Sequence, residues 1–242
     1  MTVKAHAKIN WTLRVLGKRN DGFHDLKSIV LPVEMHDVIE ISEDEEIACS
    51  TAGLEIAEEN NLAYRAAVAL RDASGGNHGA RIAIEKNIPS GAGLGGGSSD
   101  AAAVLNALNA IWKIDFPVER LCEIGAKIGS DIPALVLGGP VLMEGRGERV
   151  RKIDDCLLRE LNESFLPPAE SIEVYWPGIF VPTSEVFGEF KESDCNKGPN
   201  DLQRAAIRLY PEIEEALRYL ENRGLKHVAM TGSGSAVFGV RA

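Results

Sequence analysis

Residues 89–99 read Pro-Ser-Gly-Ala-Gly-Leu-Gly-Gly-Gly-Ser-Ser, and an alanine-rich stretch with helical spacing follows at once. Five glycines, Gly91, Gly93, Gly95, Gly96 and Gly97, strip side chains from one short length of backbone. Successive N–H groups can then converge on an anion, and the positive φ angles of such a cradle carry no steric penalty. Ser98 is a good N-cap, which predicts that a helix starts there and adds the partial positive charge of its N-terminus to the same spot. The chemistry on offer is phosphate binding by Pro89, Ser90, Gly91, Ala92, Gly93, Leu94, Gly95, Gly96, Gly97, Ser98 and Ser99.

Other readings of the same glycines fit less well. A flexible linker would not lie between an alternating strand pattern, Arg81-Ile82-Ala83-Ile84-Glu85, and a patterned helix. Gly91-x-Gly93-x-x-Gly96 matches a dinucleotide-binding spacing, with Asp115 about 20 residues on. That run, however, comes late, continues into Gly97-Ser98-Ser99, and follows no opening βαβ alternation. A P-loop is excluded because no Gly-Lys-Ser/Thr closes the motif. A kinase of another kind leads, ahead of an NAD-dependent enzyme and a non-catalytic nucleotide binder.

The elements that would position this loop can be read on either side of it. Lys8–Val15, Ser28–Val33 and Val38–Ile41 read as strands, with a turn at Gly17–Asp21 and a solvated acidic loop at Glu43–Glu46. Leu62, Ala66, Ala69, Leu70 and Ala73 recur at helical spacing, ended by Ser74-Gly75-Gly76-Asn77. The helix after the glycines puts Ala101, Val104, Leu105, Leu108, Ile111 and Trp112 on one face, and another is expected over Val118–Ile128. A composition shift at Arg149–Asp155 marks a boundary, giving an N-terminal part over 1–152 and a C-terminal part over 153–242. The second part reads as a strand at Ile172–Trp176, a polar loop at Ser193–Pro199 and helices at Asp201–Tyr210 and Pro211–Arg223. Two final strands flank Thr231-Gly232-Ser233-Gly234-Ser235. Segregated helices and strands predict an α+β fold in two lobes.

At 242 residues, 45% hydrophobic and 26% charged, the chain can bury a substantial core. Its net charge of −10 argues against general nucleic-acid binding. Cys49, Cys122, Cys156 and Cys195 are scattered without metal-ligand spacing, which fits reduced thiols in a cytosol. The opening residues are not a signal peptide, and the longest apolar stretch is too short to span a bilayer, so a cytoplasmic location is expected.

Three separated blocks together resemble the GHMP small-molecule kinases: Ala7-Lys8-Ile9-Asn10, the glycine run with Asp100-Ala101-Ala102, and Thr231-Gly232-Ser233-Gly234-Ser235-Ala236-Val237-Phe238. Within that superfamily, Arg19-Asn20-Asp21-Gly22-Phe23-His24-Asp25-Leu26, Gly129-Ser130-Asp131-Ile132-Pro133 and Pro182-Thr183-Ser184-Glu185-Val186-Phe187 resemble the 4-diphosphocytidyl-2-C-methyl-D-erythritol kinase family. The resemblance implies a two-lobed fold with ATP and acceptor in the cleft, magnesium on the phosphates, and phosphorylation of a hydroxyl of a cytidine diphosphate alcohol. A homoserine, mevalonate or sugar kinase is the alternative within the superfamily. A small-molecule acceptor is expected, with neither nucleic acid nor membrane as partner, and the chain is expected to act as a monomer or homodimer.

The same resemblance assigns roles. Asp131 is the candidate base, with helix capping as its other reading, and Lys8 its cationic partner. Ser99 is a candidate magnesium ligand or an ordinary first-turn residue. Phe23 and Phe187 would stack on the cytosine unless they belong to the core, and His24 would read the base edge. Asn10, Lys86 and Thr183 carry over as polar contacts, Lys86 to a phosphate. This chain departs from the family where Phe23 replaces the usual tyrosine and Ala134-Leu135 the usual aromatic pair; the stretch Asp154–Glu170 is also longer than expected.

Overall fold

The computed structural model describes residues 1–53 and 57–241. Its first strands are long, because backbone pairing continues well past the short apolar runs visible in the sequence. β1 (Thr2–Lys18) and β2 (His24–Asp44) pair antiparallel along their length, with register shifts absorbed at His6/Lys8, Asn10/Thr12 and Val15/Gly17. These two replace the three shorter strands expected. The reversal falls at Arg19–Phe23 rather than Gly17–Asp21, held by the Arg19 N–H donating to Phe23 O and by the Arg19 guanidinium on Asp21 and Asp25. The acidic run is the expected exposed loop only at Glu45 and Glu46, which form a bend. β2 continues through Glu43 and Asp44, which pair with Ala80 and Gly79 while their side chains stay exposed.

β3 (Ile47–Thr51) lies parallel to β4 (Gly79–Glu85), and between them runs α1 (Leu62–Ser74). Asn61 caps α1 by accepting the Ala63 N–H at 2.9 Å, and Gly75 ends it at φ +68°, a left-handed conformation that favours glycine. α2 (Gly96–Ile111) leaves the glycine loop and is followed by α3 (Val118–Ala126). α4 (Ile132–Leu137), which the sequence reading did not anticipate, is a short helix with Pro133 in its first turn. β5 (Val141–Gly145) and β6 (Arg149–Lys152) then form a hairpin. The six-stranded sheet has the order β3-β4-β2-β5-β6, with β1 against β2. Ile39, Ile41, Ile82 and Ile84 from the sheet pack on Leu70, Leu105, Leu108, Leu121 and Ile132 from the helices. Each such buried side chain contributes about 1.5–3 kcal/mol.

The larger sheet is complete by Lys152. α5 (Asp155–Glu160) follows, capped by Asp154, whose carboxylate accepts the Leu157 N–H at 2.8 Å. β7 (Ile172–Tyr175), α6 (Thr183–Glu189), α7 (Gln203–Leu209), α8 (Glu212–Asn222), β8 (Lys226–Met230) and β9 (Val237–Val240) complete the chain. The second sheet is antiparallel in the order β7-β9-β8. α7 starts later than the expected Asp201, whose carboxylate instead accepts the N–H groups of Val15 and Asn196 at 3.0 and 2.8 Å. The arrangement is α+β, and the two sheets share a core: Ile9, Leu31 and Leu94 pack with Ile172 and Phe238. No helix among the described residues is long and apolar enough to cross a membrane.

Candidate active site

The glycine loop is held by its carbonyls. Leu94 O accepts the Lys8 N–H at 3.0 Å, Ala92 O accepts the Ala236 N–H at 3.0 Å, and Gly91 O accepts the Val181 N–H at 3.4 Å. The Thr231 hydroxyl donates to Gly93 O at 3.4 Å. With these carbonyls turned to the protein body, the N–H edge is left for a ligand. The helix begins one turn earlier than expected. Gly95, at φ +72°, is the N-cap of α2, and Ser98 lies inside the first turn, because a glycine in the left-handed region starts the helix without a side-chain cap. The unpaired N–H groups of that turn therefore lie at Gly96–Ser98. Pro89–Ser98 line one cavity of about 300 Å³ together with Leu62, Lys86 and Ile88. Ser99 does not line it; its hydroxyl is buried without a hydrogen-bond partner and borders a neighbouring cavity.

Close approach explains the glycines at two positions. A β-carbon on Gly93 would collide with Thr231 O. One on Gly95 would sit 3.1 Å from the Lys8 side chain and 3.7 Å from Asp131 Oδ2. Gly95 is thus the point at which the loop meets the two predicted catalytic residues.

Lys8 Nζ lies 3.4 Å from Asp131 Oδ2; the lysine is 4% exposed and the aspartate 31%. Asp131 occupies the N-cap position of α4, yet its carboxylate makes no capping hydrogen bond and faces Lys8 instead. Asn10 orients the lysine. Its Oδ1 accepts from Lys8 Nζ at 2.6 Å, and its Nδ2 donates to Ser28 Oγ at 2.7 Å. Ser28 Oγ in turn donates to Thr12 O at 2.6 Å, so the chain of donors fixes the amide's orientation. Asn10 N–H also donates to Thr231 Oγ1 at 2.9 Å, tying β1 to the C-terminal glycine turn.

On the other side of Gly93 and Gly95 opens a cavity of about 620 Å³. Lys8, Asn10, Phe23, His24, Asp131, Thr183 and Phe187 all line it. Phe23 is 52% exposed, so it is no core residue, and the Arg146 guanidinium lies 4.9 Å above its ring. Phe187 stacks on His24, with centroids 4.8 Å apart and planes at 21°. Burial, reinforced by Lys18, lowers the His24 pKa and keeps the ring neutral at pH 7, free to donate through one nitrogen and accept through the other. Thr183 and Ser233 hydroxyls meet at 2.8 Å. Ala134 and Leu135 do not line this cavity. Arg146, Lys18, Ser130 and Ser233 do, and were not singled out in the sequence. Arg146 stands between two glycines at a hairpin tip, which is the signal that was there to be read.

Lys86 lines the loop cavity and is absent from the acceptor side. It is ion-paired with Asp37, and with Asp100 at 2.7 Å. The other Asp37 oxygen accepts the N–H groups of Asn87 and Ile88 at 2.5 and 2.8 Å. Burial raises the Asp100 pKa to about 7 against the pull of Lys86, and its second oxygen has no partner.

Comparison with known proteins decides between the kinase and dinucleotide readings. Residues 61–139 match the GHMP kinases N terminal domain and residues 184–240 the GHMP kinases C terminal domain. The chain belongs to the GHMP kinase family. The 4-diphosphocytidyl-2-C-methyl-D-erythritol kinase of Thermodesulfovibrio yellowstonii is 37% identical, over 99% of this chain and 89% of its own. That of Caldicellulosiruptor bescii is also 37% identical, with the same coverage. A crystal structure of 4-(cytidine 5'-diphospho)-2C-methyl-D-erythritol kinase superposes with a TM-score of 0.81 at 34% identity, covering 99% of this kinase and 90% of that chain. The Methanococcus jannaschii mevalonate kinase shares the fold at 15% identity, with a TM-score of 0.68. The kinase is thus an ATP-using phosphotransferase with an alcohol acceptor, and its fold is that of the family.

Proposed function

We propose that this kinase transfers the terminal phosphoryl group of ATP to a hydroxyl on the methylerythritol part of 4-diphosphocytidyl-2-C-methyl-D-erythritol, a step of non-mevalonate isoprenoid precursor synthesis. The observation that carries the reading is the Lys8–Asp131 pair at the glycine wall between two cavities, one lined by backbone N–H groups and one by aromatic and polar side chains. ATP phosphates lie along Gly91–Ser98, and the acceptor enters from the side of Phe23, His24 and Phe187. The reacting atoms meet at Gly95.

Phosphoryl transfer asks for positioning and charge stabilisation more than covalent chemistry. Asp131 accepts the proton of the attacking hydroxyl; Lys8, held by Asn10, balances charge on the moving group. Neutral His24 hydrogen-bonds the cytosine edge while Phe187 and Phe23 offer ring faces, and Arg146 and Lys18 supply positive charge toward the acceptor's diphosphate. Ser99 has a buried hydroxyl oxygen without a partner, yet it lies outside the cavity that the glycine loop lines. Magnesium would neutralise phosphate charge with ligands drawn from the nucleotide and water. Lys86, neutralised by Asp37 and Asp100, supports the floor of the phosphate loop. We assign residues 1–152 and 153–242 to two domains, following the division between the sheets, and place the enzyme in the cytoplasm as a monomer or homodimer.

The test is ADP release with ATP and magnesium, with and without the cytidine diphosphate alcohol, beside homoserine, mevalonate and a free sugar. Release that depends on the cytidine acceptor is expected. Turnover with another alcohol alone would retain the kinase and overturn the acceptor.

A further inference from the structure

Little in the Asp131 side chain's own contacts fixes where it points. Among the described residues its carboxylate has one partner, Lys8 at 3.4 Å, and it makes no capping hydrogen bond. Its aim is therefore set by the backbone of residues 127–131, the link between α3 and α4. On the α4 side that link is anchored by Ile132, which is fully buried among the helices. On the other side stands Ser130, an exposed residue.

What meets Ser130 comes from another element. The β5–β6 turn, residues 145–148, crosses the link at Gly147. This glycine is buried at φ +125°, and a β-carbon on it would collide with Ser130 O and lie 3.1 Å from Ser130 Cβ. Backbone packs directly on backbone there, one residue from the base. Such a contact transmits a displacement, because neither side can turn away as a side chain can.

The turn is itself fixed. The Gly147 N–H donates to Glu144 O at 3.2 Å, and the Arg146 N–H donates to the Glu148 carboxylate at 2.6 Å. The Arg146 guanidinium, 4.9 Å above the Phe23 ring, moors the same turn to the acceptor wall.

We propose that this turn positions the base: Gly147 buttresses Ser130 and so sets the reach of Asp131, while Glu148 holds the turn in the shape that makes the contact. Neither lines the acceptor cavity, so both are positioning residues that act through Asp131. The inference rests on Asp131 acting as the base and adds what aims it.

The test is steady-state kinetics with ATP, magnesium and the cytidine diphosphate alcohol. The variants are Gly147→Ala, Glu148→Ala and Glu148→Gln, beside Asp131→Asn and Gly139→Ala. Gly139 also has a positive φ, +76°, but a β-carbon on it would meet nothing within 4 Å among the described residues. Its alanine variant brings backbone strain without displacing the link. Gly147→Ala is expected to lower kcat on the order of 10²-fold with the KM for ATP unchanged. Glu148→Ala frees the turn and is expected to lower kcat about tenfold. Glu148→Gln keeps an oxygen for the Arg146 N–H and should restore it, and Gly139→Ala should keep the native kcat. Native kcat in Glu148→Ala would overturn the buttress, even where Gly147→Ala fails to fold, and so would equal losses in Gly147→Ala and Gly139→Ala. Full turnover by Asp131→Asn is a separate result, and it would overturn the base itself and this inference with it.

Discussion

Two lysines stand beside the same glycine loop and differ in their company. Lys8 is buried against one carboxylate that opens to a cavity, with an amide oxygen as its second partner. Lys86 is enclosed by two buried carboxylates, and Asp37 also holds two backbone N–H groups. The first arrangement leaves the Asp131 carboxylate accessible from the larger cavity. The second spends its charges on each other and fixes the strand exit into the loop. The difference teaches that two lysines beside one glycine loop can be set apart by their partners: one carboxylate opens to a cavity and the other two are enclosed.

The contrast is broken most strongly at its reactive half. Asp131→Asn is expected to lower kcat by roughly 10²- to 10⁴-fold with ATP affinity and melting temperature retained, as steady-state kinetics and calorimetry would check. At the enclosed half the effect moves from rate to stability. Asp37→Ala strands two backbone N–H groups and leaves Lys86 with Asp100 alone, and urea unfolding should report a loss of about 3–5 kcal/mol.

Asp100 sharpens the comparison through pH. Its folded pKa, about 7, lies above the unfolded carboxylate value, because burial outweighs Lys86. Between the two values the folded state binds a proton that the unfolded state has released. The Asp100 contribution is therefore fully present below pH about 4 and falls as pH rises to about 7. Urea unfolding at pH 5 and 8 should show a steeper decline for the native chain than for Asp100→Asn, which keeps the shape and removes the titration. The smallest effect belongs to a pair far from either lysine. Arg218→Ala breaks an exposed contact with Glu214 at 2.9 Å, and it should cost less than about 0.5 kcal/mol in the same measurement.

Legibility in the sequence followed locality. The helix over α1 was readable from its spacing, its Asn61 cap and its terminal glycine, all neighbours in the chain. Apolar runs predict β1 and β2 too short, because what extends them is pairing across the sheet, which such runs do not record. At Glu43 and Asp44 solvated acidic side chains predict a loop, but they suit equally the solvated end of a paired strand. α4 was missed because six residues carry too little periodicity to recognise. At the site, Lys8 and Asp131 were legible through motif blocks, while Arg146 had only its flanking glycines.

The sequence by itself determined the glycine loop and the family, since glycine's backbone freedom and short motif blocks are properties of adjacent residues. Only the tertiary structure decided which charges meet. It set Lys8 against Asp131 across Gly95, gave Lys86 to Asp37 and Asp100, stacked His24 on Phe187, and turned the loop's carbonyls inward. The reason is physical: backbone preference is written in neighbours, whereas the partner of a buried charge depends on strand register, on burial and on which other groups the fold brings within reach.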